Sequence, residues 1–166
     1  MGVRRVFRHL LSDHWAVRYA FPPRAMHAIE QAIAAQERRH DGEIRFAVES
    51  ALPFSDLVRA ISARDRAIEL FSRLRVWDTE QNAGVLVYLL LADRRVEIVA
   101  DRGIHSRVGA AAWEAICGAM QREFAAGRFE PGVVTGVQAI SDLLATHFPP
   151  RDENPDELSN RPLILD

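Results

Sequence analysis

The run GVLVYLLL at positions 84–91 constrains the fold most, because as a strand it offers apolar side chains to both faces of a sheet. Such a strand is stable only when a layer covers it on each side. Ala92, Asp93, Arg94 and Arg95 form a short link to VEIVA at 96–100. The two strands should therefore form an antiparallel hairpin. A third strand is read at EIRFAVES, where Ile44, Phe46 and Val48 alternate with Glu43, Arg45 and Glu49, the pattern of a half-buried strand.

Helical periodicity fills the space between and after these strands. Pro22 and Pro23 precede a helix with Met26, Ile29 and Ile33 on one face, which should end near His40 because Asp41 and Gly42 signal a turn. Ser55 and Asp56 open a second helix with Leu57, Ile61, Ile68 and Phe71 on its stripe. A third carries Trp113, Ile116, Cys117, Met120 and Phe124 and ends at Gly127. Pro131 suits the first turn of a fourth, with Val133, Val137, Ile140, Leu144 and Phe148 inward. The order α-β-α-β-β-α-α predicts an α/β fold, a three-layer α/β/α sandwich with a small mixed sheet. Residues 22–148 form the domain. Residues 1–21 form an amphipathic arm with Val3, Phe7, Leu10, Leu11 and Trp15 at helical spacing, and residues 149–166 an extended tail rich in Pro, Asp, Asn and Glu.

Composition removes several function classes. A net charge of −2 argues against a dedicated nucleic-acid binder, which usually shows a strong basic excess. No stretch approaches the apolar length of a transmembrane helix. Asp13, His14 and Arg18 interrupt any secretory signal, so the expected location is cytoplasmic. The single cysteine, Cys117, cannot form an internal disulfide and sits on a core face of its helix. Motifs for zinc proteases, serine hydrolases, P-loops and dinucleotide sites are absent.

The run ELFSRLRVWDTEQNAGVLVYLLLADRRVEIVADRGI at 69–104 resembles the central signature of the TPM domain. In that signature a helix ending in a Leu-Phe pair leads through a polar loop to a strand and a hairpin. FAAGRFEPGVVTGV at 124–137 resembles the family's second landmark, an aromatic after Gly that opens the last helix. The resemblance implies the TPM fold over most of residues 25–148. It also implies the family's range of roles, from thylakoid-lumen proteins linked to photosystem II repair to bacterial membrane or secreted proteins. Some members are acid phosphatases, and some bind calcium or other divalent cations. The segments GEIRFAVE, VWDTE and VEIVADRGI look like those of cytosolic-type paralogues.

Topology alone narrows the search for a site. A right-handed crossover sets strands 43–50 and 84–91 parallel, and the hairpin then reverses 96–100. The loops 40–43, 77–82 and 101–105 should meet at one edge of the sheet, where ligands of such sheets commonly lie. They would gather Asp41, Glu43, Asp78, Glu80 and Asp101 with Asn82, Arg102 and His105. Clustered carboxylates repel unless a cation or an arginine neutralises them. A set of oxygen ligands favours Ca²⁺ or Mg²⁺ over zinc. The expected site is a divalent-cation centre on Asp78, Glu80 and Asp101, with Asn82, Arg102, Glu43, Asp41 and Arg64 as further binding residues and no organic cofactor. The competing reading has Asp78 and Asp101 shaping turns. Arg64 lies on the apolar stripe of the second helix, so it should pair with a buried carboxylate, Asp101 or Glu49, or bend out to solvent.

Two functions follow. One is a non-enzymatic binding or adaptor domain stiffened by a cation, meeting a protein partner through the arm or the tail. The other is a metal-dependent phosphomonoesterase, implied by resemblance. The arm should dock on its own domain, with a second copy as an alternative. Arg4 and Arg5 give peripheral membrane contact only weak support. Leu163, Ile164 and Leu165 end the acidic tail as a strand or as the filling of a groove, on this chain or on a neighbour.

Overall fold

The computed structural model describes residues 3–11, 14–151 and 156–165. Among these are eight helices and four strands. The order is α1 (Val3–Leu11), α2 (His14–Ala20), α3 (Pro23–Glu37), β1 (Glu43–Glu49), α4 (Phe54–Val58), α5 (Ala63–Arg73), β2 (Gly84–Leu90) and β3 (Arg95–Ala100). It continues through α6 (Arg102–Val108), α7 (Ala110–Ala125), α8 (Phe129–His147) and β4 (Leu163–Leu165).

The sheet runs β3-β2-β1-β4, with β1 parallel to both β2 and β4 and β2 antiparallel to β3. Every residue of β2 is buried, as its two-sided apolar character requires. Ile44, Phe46, Val48, Val85, Val87 and Ile98 meet α3, α7 and α8 on one face. Ala47, Leu86, Tyr88, Leu90 and Val99 meet α4 and α5 on the other. The three layers and the mixed sheet are those expected.

Three differences have physical causes. First, β1 is not half-exposed: Glu43 and Glu49 are buried as well, because the returning tail crosses Glu43 and α5 covers Glu49 with Arg66, while β4 pairs along the strand's end. The final apolar residues thus add a strand to their own chain. Second, the helix read from Ser55 onward is two helices. Ser62 and Asp65 form a reciprocal capping box that starts a new helix at Ala63. That restart changes the rotational phase, so α5 buries Ala63, Arg66, Ala67 and Leu70 and leaves Ile68 exposed.

The third difference is in the arm. Its inward residues are His9, Val17 and Phe21, whereas Phe7, Leu10 and Trp15 are exposed. The side chains of Val3 and Leu11 lie outside the described set, as do tail residues Asp152 and Glu153. His9 Nδ1 accepts from Leu52 N at 3.0 Å, and Asp93 draws Arg5, Arg8 and His9 together within 3.2 Å. The arm therefore docks on its own domain, α1 through its polar face and the following residues through Val17 and Phe21.

Candidate functional site

The loops expected to converge do so. Glu43 N donates to Ala83 O, and Asp101 N to Gly84 O, at 3.3 and 2.9 Å. Gly103 approaches the loop so closely that a Cβ there would lie 2.5 Å from Asn82 O. Thr79 organises the loop from within, its carbonyl and hydroxyl accepting from Asn82 N and Ala83 N. The gathering point is the edge where β1 and β2 begin and β3 ends.

The expected ligands take separate places along that edge. Asp78 is exposed and bound by Arg75 at 2.6 Å. Glu80 is exposed and pairs with Arg151 at 2.8 Å. Asp101 is buried, but it caps α6: one carboxylate oxygen accepts from Arg102 N at 2.6 Å. Residues 102–105 are thus the first turn of a helix rather than a loop. The second Asp101 oxygen has no hydrogen-bond partner among the described residues. Asp101 also lines a cleft of about 330 Å³ with Trp77, Asn82 and Arg102. Asp41 is buried and paired with Arg151. Arg64 is half-exposed and donates to Ile98 O at 2.5 Å, with Glu97 at 3.9 Å. The arginine that enters the core is Arg66, which holds Glu49 through two nitrogens at 2.7 and 3.1 Å. His105 lines a separate groove with Arg64 and Trp113.

Among the described residues, the carboxylates that approach within ligand distance are Glu37, Glu43 and Asp156, whose oxygens lie within 4.8 Å of one another. Glu37 closes the buried stripe of α3 after Ala25, Ile29 and Ile33. One of its oxygens accepts from Ile44 N at 2.9 Å. Glu43 opens β1, and the tail crosses it so that Glu157 N and Leu158 N donate to its two oxygens. The same crossing delivers Asp156. Burial, with Glu43 nearby, pushes the Glu37 carboxyl up to about 9. Burial also raises Glu43 to about 7, against the pull of the two tail N–H groups. Arg45 stands near Glu37 and Asp156 and donates to the Ser159 carbonyl, supplying one positive charge. His40, beside them in sequence, is lowered to about 4 by burial and is neutral near pH 7.

The described residues of the tail are stitched across this edge. Arg151 bridges Asp41 and Glu80, and the Glu157 carboxylate accepts from Glu80 N at 3.0 Å. Beyond it, β4 pairs with β1 from Ala47↔Leu163 to Glu49↔Leu165. Acidic groups from a helix end, a strand start and a returning tail are thus held at one point.

Residues 20–143 match the sequence profile of the TPM domain. The chain belongs to the TPM domain family. The NMR structure of the BA42 protein from the psychrophilic bacterium Bizionia argentinensis is similar, with 31% identity and a TM-score of 0.75 over 85% of this chain and 92% of that one. The solution structure of the N-terminal domain of a P. gingivalis protein shares the fold at 20% identity and a TM-score of 0.57, over 73% of this chain and 76% of that one. No match was found among curated proteins. No helix among the described residues of this TPM domain is long and apolar enough to cross a membrane.

Proposed function

We propose that this TPM domain is a binding module whose sheet edge takes a divalent cation on Glu37, Glu43 and Asp156. The observation that carries the reading is the meeting of these three carboxylates, two of them buried. Carboxylates so placed repel when ionised, and a proton or a cation relieves the repulsion. Their hard oxygen donors suit Ca²⁺ or Mg²⁺, with water and neighbouring carbonyls completing the shell. Because Asp156 arrives on the tail, an ion here would tie the tail to the sheet and stiffen the edge a partner meets. The raised carboxyls oppose binding at low pH, since the ion must displace the Glu37 proton.

The test is an amide NMR titration of metal-stripped protein with Ca²⁺ and then Mg²⁺. Saturable shifts at residues 37, 43–44 and 156–160, lost in Glu43→Gln, are expected. Shifts confined to 77–82 and 101–105 would move the site to Asp78, Glu80 and Asp101. Absence of any shift at millimolar ion would refute a cation site altogether.

A second reading, metal-assisted hydrolysis of a phosphomonoester, is favoured by the cleft between Asp101 and Arg102. There a cation held at Asp101 would polarise the phosphoryl group while the guanidinium of Arg102 neutralised its oxygens. Asp101→Asn keeps an oxygen for capping α6 and removes the charge. Hydrolysis of a chromogenic phosphate ester that this variant retains in full would refute the mechanism.

A further inference from the structure

Among the described residues, the arm and the short helix α4 carry most of the exposed large hydrophobic side chains. Phe7, Leu10, Trp15 and Tyr19 are 61, 61, 69 and 88% exposed. His9 docks against Leu52, and α4, which follows that residue, exposes Phe54 and Val58 as well. These six are two-thirds of the nine large hydrophobic side chains exposed among the described residues. Isolated apolar residues on a surface are ordinary, whereas their concentration on one set of elements marks a contact surface.

Charge on these elements is segregated too. The α1 and α2 sequences, VRRVFRHLL and HWAVRYA, contain no carboxylate, in a chain whose net charge is −2. Arg8 and Arg18 are exposed among the apolar side chains, and the Arg18 guanidinium lies 5.7 Å from the Trp15 ring centroid. Asp93, the carboxylate beneath α1, is already occupied by Arg5, Arg8 and His9. Arg59, which caps α4, is also exposed. The surface therefore combines aromatic and aliphatic side chains with exposed guanidinium groups, of which Arg8 also holds Asp93.

We propose that this face rests on an anionic lipid bilayer, with Phe7, Leu10, Trp15 and Tyr19 entering the headgroup region and Arg8, Arg18 and Arg59 meeting lipid phosphates. Leu and Phe supply the apolar insertion, while Trp and Tyr suit the polar–apolar boundary. Anionic headgroups provide the negative charge that α1 and α2 lack. A symmetric second copy fits less well, because it would bring the arginines of two α1–α2 segments together, and neither helix carries a carboxylate. The arm sits at the β2–β3 hairpin end, where Asp93 lies, and the carboxylate site at the start of β1 and β2. Lipid contact would leave that site open.

Sedimentation of the full chain with vesicles tests the proposal. Binding to vesicles of equal phosphatidylcholine and phosphatidylglycerol should exceed binding to phosphatidylcholine alone by about tenfold and weaken with salt. Leu10→Ser combined with Trp15→Ser should remove most of it while circular dichroism stays unchanged, since both side chains are exposed. A blue shift of tryptophan emission on mixing with anionic vesicles should disappear in Trp15→Phe. Absence of sedimentation with anionic vesicles, or equal sedimentation of the double variant, would overturn the proposal. A concentration-dependent dimer abolished by the double variant, without vesicle binding, would overturn it by assigning the face to a second copy.

Discussion

Glu37→Gln should stabilise the protein at alkaline pH, by an amount set by the proton that Glu37 holds. Its carboxyl titrates at about 9 in the fold against a reference of 4.5. A group whose folded pKa is raised contributes stability that is complete below the unfolded pKa and is lost as pH rises through the folded one. Its window is therefore pH 4.5 to about 9. Two neighbours share part of that range. Glu43, raised to about 7, acts with the same sign and is largely finished above that pH. His40, depressed to about 4, acts with the opposite sign and only below its unfolded value of 6.5.

Above neutrality Glu37 therefore dominates this group. Each pH unit over which the fold keeps a proton that the unfolded chain has lost costs about 1.4 kcal/mol. Between about pH 7 and about pH 8.5 the metal-free protein should lose about 2 kcal/mol, or about 5 °C in Tm for a chain of this size. Gln keeps the acceptor for Ile44 N and has no proton to lose, so the variant should show almost no slope over the same range. Urea unfolding at both ends of the window, for both proteins without metal, measures the difference. Saturating Ca²⁺ should flatten the wild-type slope by taking the proton's place. A wild-type stability that stays level, or an equal fall in Glu37→Gln, would refute the assignment of a buried proton to this side chain.

Arg66→Ala should cost about 3–5 kcal/mol in the same urea assay, because among the described residues it leaves the buried Glu49 with the Tyr88 hydroxyl as its one side-chain partner. A loss below about 1 kcal/mol would show that water reaches Glu49. Gly84→Ala places a Cβ 1.9 Å from Val76 O, where only backbone could yield, and should cost about 3 kcal/mol or more. Gly136→Ala meets the flexible Met120 thioether instead and should be clearly milder, so equal Tm losses in the two variants would contradict the close-packing argument.

The sequence signals that worked were those in which one residue pattern has one solution. An eight-residue run apolar on both faces, too short for a typical helix, reads as a covered strand, and a short polar link to a second such run reverses the chain. Parallel β1 and β2 followed by that reversal then force the three loops to one edge. The stripe of the helix before β2 failed for a local reason. Ser62 followed by Asp65 carries a capping-box pattern, and its competition with the longer apolar periodicity decided the helix start. Reading through it pointed to Arg64 as the inward arginine, two residues from Arg66.

The same logic that singled out Arg64 would have found Glu37. A carboxylate four residues after Ile33 continues the buried stripe of α3, and a charge on such a stripe demands a partner. No comparable signal marks Asp156. It reaches Glu43 across more than a hundred residues of chain because the tail folds back and β4 pairs with β1. That contact has no local periodicity. A site built from one periodic helix, one strand end and one returning tail is therefore only partly legible from sequence.

Periodicity tells which side chains share a face, and it grouped Phe7, Leu10 and Trp15 correctly as apolar. It does not tell which face the rest of the molecule will accept. The choice was made by Asp93, where the β2–β3 hairpin turns. A carboxylate at 10% exposure needs cations, and α1 offers Arg5, Arg8 and His9 on its other side. Satisfying Asp93 turns that polar side inward and sends the apolar one outward. The exposed hydrophobic face thus follows from the electrostatics beneath it, and Asp93→Asn should loosen the arm while leaving α7, α8 and the sheet intact.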